Sequence, residues 1–65
     1  MTFAEKILAE RKKKNVSQTE VAKVVGITQT AISYFESGEK FPSAPVIKRL
    51  ANYYGVSIDY LMDNE

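Results

Sequence analysis

Hydroxyl residues and helix-stopping residues alternate at short intervals along this chain, and that punctuation leaves room for short helices and little else. Thr2, Ser17, Thr28, Ser43 and Ser57 each precede a stretch with helical apolar spacing. A Ser or Thr at that place accepts a backbone N–H of the first turn, which otherwise has no intrahelical partner. Thr2 with Glu5, and Ser17 with Glu20, also have the spacing of a capping box, in which the carboxylate reaches back to the cap residue. At about 100° per residue, Phe3, Ala4, Ile7 and Leu8 fall on one arc of a first helix that ends near Asn15. Val21, Ala22 and Val25 form the inner face of a second, and Gly26 supplies positive φ where it stops. Ile27 turns inward and Thr28 opens a third. Pro45 is tolerated in the first turn of a fourth, where Val46, Ile47, Leu50, Ala51 and Tyr54 share a face that closes at Gly55. Ser57 begins a short fifth through Ile58, Tyr60, Leu61 and Met62. No segment alternates like a strand.

The predicted class is therefore all-α, a compact five-helix domain spanning 1–65. The second and third helices are joined so tightly that they must cross steeply, as in a helix-turn-helix. Sixty-five residues suffice for one modest core. The chain has no cysteine and no histidine, which excludes disulfides, Cys/His zinc sites and Ser-His or Cys-His catalysis. No apolar run approaches the ~18 residues of a membrane span, and the first residues lack a secretory pattern, so the expected compartment is the cytoplasm. A net charge of +1 argues poorly for nucleic acid, but its distribution is uneven. Arg11, Lys12, Lys13 and Lys14 form a basic run, with Lys23, Lys40, Lys48 and Arg49 beyond, while Asp59, Asp63 and Glu65 make the last segment acidic. The run has two readings, as complement to a helix dipole or as a phosphate-facing patch.

The third helix is the most informative. Ala31, Ile32 and Phe35 cluster on one side of its wheel, and Gln29, Thr30, Ser33 and Tyr34 cluster opposite without a formal charge. An ordinary surface helix carries Lys or Glu there, whereas amides and hydroxyls suit base edges in a major groove. Gln18, in the first turn of the second helix, would lie beside Gln29, either as a simple first-turn residue or offering its NH₂ to a phosphate alongside free backbone N–H groups. Arg11 falls in the apolar arc of the first helix and needs a partner; Glu36, at the end of the third, is the candidate, unless Arg11 snorkels outward along its stem. Phe41 and Lys40 share a loop, where an exposed aromatic beside a cation could lie along a sugar-phosphate backbone.

Taken together, Arg11, Ser17-Gln18-Thr19-Glu20-Val21-Ala22, Gly26-Ile27, Ile32-Ser33, Glu36-Ser37-Gly38, Pro42-Ser43, Leu50-Ala51 and Gly55-Val56-Ser57 resemble the Xre-type, lambda-repressor/Cro-like helix-turn-helix family nearly end to end. The resemblance implies a sequence-specific transcriptional regulator, by family habit a repressor, that binds a palindromic operator in double-stranded DNA as a homodimer with its third helix in the major groove. It implies base contacts from Gln29, Thr30, Ser33 and Tyr34, phosphate contacts from Gln18, Ser17, Thr28, Lys40, Phe41 and Ser43, and an internal Arg11–Glu36 pair. Tyr34 departs from the pattern, being larger than the usual polar residue there. The low net charge implies modest nonspecific affinity. Ile58, Leu61 and Met62 are the candidate dimer interface. No cofactor, metal, small-molecule ligand or catalytic residue is implied. An antitoxin-type or restriction-modification controller, or a protein-binding adaptor, is the alternative use of the same fold.

Overall fold

The computed structural model describes residues 1–63, so Glu65 of the acidic tail lies outside the described residues. Among them are five helices and no strand: α1 (Phe3–Lys14), α2 (Gln18–Val25), α3 (Gln29–Ser37), α4 (Ala44–Tyr54) and α5 (Ile58–Met62). The start of α1 is closed by a complete capping box: the Thr2 N–H donates to Glu5 Oε1 at 2.8 Å, and the Glu5 N–H donates to Thr2 Oγ1 at 3.1 Å. At α2 only half of the expected box forms. Ser17 Oγ accepts the Glu20 N–H at 3.1 Å, but the Glu20 carboxylate stays in solvent, where water competes for it. Thr28 and Ser57 cap α3 and α5 in the same way, at 3.1 and 2.9 Å. Ser43 occupies the cap position of α4 without a side-chain bond, a departure from expectation. Pro45, two residues on, lacks one of the N–H groups that such a hydroxyl reaches. α1 stops where Asn15 turns left-handed at φ 59°, and α2 where Gly26 does so at φ 81°.

Val21, Ala22 and Val25 of α2, Ile32 of α3 and Leu50 of α4 bury one another in the main cluster. Ile7, Ala51 and Leu61 form a second, between α1, α4 and α5. Leu61 is 0 % exposed, which corrects its assignment to a dimer interface: the monomer's own core has used it, because α5 is too short to bury Ile58 and Met62 as well.

Burial of Lys6 was not anticipated from its sequence position. Its ammonium donates to the Tyr60 carbonyl at 2.7 Å and to the Asp63 carbonyl, and stands 4.9 Å from the Tyr60 ring centre. A cation from α1 thus closes the end of α5, where unpaired carbonyls carry the negative end of the helix dipole. Arg49 of α4 does the same for α2, with Nη1 3.4 Å from the Val25 carbonyl.

Candidate nucleic-acid interface

The underside of α3 is anchored and the first turn of its outer face is exposed. Ile32 is 1 % exposed in the main cluster, and Ala31 and Phe35 beside it are half-buried. Gln29 and Thr30 are exposed, while Ser33 and Tyr34, one turn further, are half-buried. Tyr34 is also occupied. Its carbonyl accepts the N–H groups of Gly38, Glu39 and Lys40, the last two at 3.1 and 3.3 Å. The chain therefore folds back over it, and Lys40 Nζ comes to rest 4.7 Å from the ring centre. Lys40 is thus held by Tyr34, not by the adjacent Phe41.

Behind this strip runs a chain of polar contacts that ties three helices together. Arg11 Nε of α1 donates to Glu36 Oε2 of α3 at 2.7 Å, and Arg11 Nη1 to the Val16 carbonyl at 3.0 Å. The Glu36 side chain is 5 % exposed. Its hydrogen bond raises the Arg11 pKa above an already high ordinary value, so the guanidinium is charged at any working pH. The other carboxylate oxygen, Glu36 Oε1, accepts from Gln18 Nε2 at 2.9 Å. Gln18 Oε1 in turn accepts from Gln29 Nε2 at 2.6 Å. Gln18 therefore stands between the ion pair and the exposed strip, with one amide hydrogen already turned inward. The wheel placed Gln18 near Gln29, but nothing in the spacing of Gln18 and Glu36 signalled that they would meet.

The remaining residues expected at this face are brought to different ends. The Ser17 and Thr28 hydroxyls accept cap N–H groups, so their outward-facing helix starts are already ordered. Ser43 keeps its hydroxyl free of any cap bond. Phe41 is 58 % exposed and leans against Phe3, with ring centres 4.7 Å apart. The basic run separates: Arg11 turns inward to Glu36, Lys12 and Lys13 stay exposed, and Lys14 Nζ sits 4.9 Å over the Tyr53 ring. Lys6, which packs against α5, takes no part in this face. Among the described residues no helix is long and apolar enough to cross a membrane.

Two short helices crossing at a tight turn, the second anchored below and presenting uncharged amides and hydroxyls above, define a helix-turn-helix domain. Residues 7–61 match the family described as Helix-turn-helix, and the chain belongs to it, in its Xre, lambda-repressor-like branch. It is similar to the HTH-type transcriptional activator BcrR of Enterococcus faecalis, with 35 % identity over all of this chain and 32 % of that protein. It is also similar to the transcriptional repressor RstR of the cryptic phage CTXphi in Vibrio cholerae, with 31 % identity over 95 % of this chain and 56 % of that one. The chain thus spans from about a third to somewhat over half the length of these curated relatives. Among solved structures, the P22 c2 repressor in complex with a synthetic operator superposes with a TM-score of 0.94 at 32 % identity, covering 100 % of this chain and 98 % of that one.

Proposed function

We propose that residues 1–65 act as one sequence-specific DNA-binding domain of a transcriptional regulator, a repressor that occupies a palindromic operator as a homodimer with α3 in the major groove. The observation that carries this reading is the division of α3: Ile32 at 1 % exposure holds the helix from below, while Gln29 and Thr30 stand outward and uncharged. Gln29, Thr30, Ser33 and the hydroxyl end of Tyr34 face bases. Gln18, Ser17, Thr28, Lys40, Phe41 and Ser43 face the flanking phosphates, with the starts of α2 and α3 supplying N–H groups and positive dipole ends. The likeness to a repressor solved on its operator supports the same reading. The domain regulates by occupancy, without catalysis or a cofactor, in the cytoplasm. Pairing fits the energetics, since a single module buries only ~600–1,000 Å² on DNA.

Selection of bound sequences from random duplex DNA is expected to return a consensus with two half-sites about one helical turn apart. Binding should fall steeply with salt, and the double variant Gln29→Ala, Thr30→Ala should lose sequence preference while melting like the parent. Preference untouched by that double change would remove the reading.

A further inference from the structure

The geometry points to Glu36 as a specificity-determining residue: through Gln18 it fixes which end of the Gln29 amide faces outward, and so selects adenine over guanine at the base pair Gln29 meets. This rests on the DNA-binding reading above.

A carboxylate has no proton to offer, so an amide facing Glu36 must present its nitrogen. Arg11 holds that carboxylate in place from the other side, with its guanidinium anchored on both Glu36 and the Val16 carbonyl. Gln18 accordingly turns Nε2 toward Glu36, and its oxygen points away, toward α3. An oxygen there can only accept, so Gln29 must give it an N–H, and does so at 2.6 Å. One choice of polarity, made at a nearly buried ion pair, is thereby passed along two amides to an exposed side chain. What Gln29 has left to present is Oε1 and one N–H, an acceptor beside a donor. Adenine offers the complement in the major groove, its N6–H to give and its N7 to receive. Guanine offers two acceptors, O6 and N7, and would set O6 against Gln29 Oε1.

The same logic makes Glu36→Gln a change of specificity. Arg11 has no acceptor, so the new amide must turn its oxygen to Arg11 and its NH₂ to Gln18. Gln18 then reverses, presenting oxygen inward and nitrogen to Gln29. Gln29 reverses in turn, its oxygen accepting from Gln18, so that an N–H replaces the acceptor that met adenine N6–H and can instead donate to guanine O6.

The test uses two duplexes that differ only by A·T or G·C at the base pair whose preference is lost in Gln29→Ala, with binding measured for the chain and two variants. The chain is expected to favour adenine by about tenfold or more. Glu36→Gln should bring that ratio to one or below. Gln18→Met, which leaves the ion pair in place and unties Gln29, should bring it toward one in a domain that still folds, with a lowered melting temperature because Glu36 Oε1 loses its donor. An adenine preference that stays at the parent value in Gln18→Met overturns the inference, as does a parent preference for guanine at that position. If Glu36→Gln fails to fold, Gln18→Met decides alone. Absence of any sequence preference in the parent would instead remove the DNA-binding reading, so the two failures are distinguishable.

Discussion

Two lysines show how little a residue's type says about its work in this chain. Lys6 is 6 % exposed and spends its charge on the carbonyls of Tyr60 and Asp63. Lys6→Met keeps the apolar stem but leaves those carbonyls without their donor, and should cost about 1–3 kcal/mol in urea or thermal unfolding. Lys40 is exposed, carries no ion pair among the described residues, and rests over the Tyr34 ring. With Lys40 as the proposed phosphate contact, Lys40→Met should reduce the slope of log affinity against log salt by about 0.9 and leave base preference alone. Tyr34→Phe keeps the ring and should keep that slope. Tyr34→Leu removes the support for the cation and should lower the slope part of the way. An equal slope in the parent and Tyr34→Leu, measured by salt titration, would show that the ring does nothing for Lys40. Neither lysine's partner was visible in sequence, because the carbonyls that Lys6 meets come from a distant segment and the ring under Lys40 is brought to it by the turn after α3.

At the scale of elements, helix ends were the most legible feature and helix faces the next. A cap works within four residues, so Thr2 with Glu5, and Thr28 with the start of α3, could be read directly. The readings failed where a competitor intervened: solvent at Glu20, and the missing N–H of Pro45 at Ser43. The complete box at α1 has a pH signature. Hydrogen bonds from the Thr2 backbone, then its hydroxyl, hold Glu5 below its ordinary value of 4.5. Its folded form therefore favours the carboxylate, and the stability this contributes is present above the unfolded value and lost as pH falls through the lower, folded one. The gap in unfolding stability between the chain and Glu5→Ala should be constant near neutrality and shrink in acid below 4.5. A gap that widens in acid would contradict the assignment.

Across the whole molecule, the question is which apolar groups the five helices consume and which they leave. Leu61 at 0 % exposure is consumed, whereas Ile58 at 43 % and Met62 at 46 % are left on the surface. Met62 borders an open groove of about 810 Å³ with Phe3, Phe35 and Phe41 on its other walls. As the proposed face of a homodimer, the exposed pair Ile58 and Met62 should respond to charge without loss of fold. Ile58→Lys with Met62→Lys should weaken self-association on a palindromic duplex, read by sedimentation, at an unchanged melting temperature. Leu61→Lys should instead unfold the domain, since a buried charge without a partner is among the costliest single changes. Sedimentation of the double variant as a parent-like dimer on DNA would place the interface elsewhere.

Helix number, helix limits and the apolar faces of α1 to α4 were determined by the sequence alone, because caps act over a few residues and apolar periodicity repeats within one element. The sequence also set the outward strip on α3, since an arc of Gln, Thr and Ser opposite Ile32 needs no neighbour to define it. Tertiary structure alone decided that Leu61 belongs to the core, that Lys6 closes α5, that Lys40 lies on Tyr34, and that Glu36 meets Gln18 as well as Arg11. Each of these joins groups that are distant in the chain or turned together by a loop. Their partners are chosen by how the helices pack, and packing is a property of all five at once.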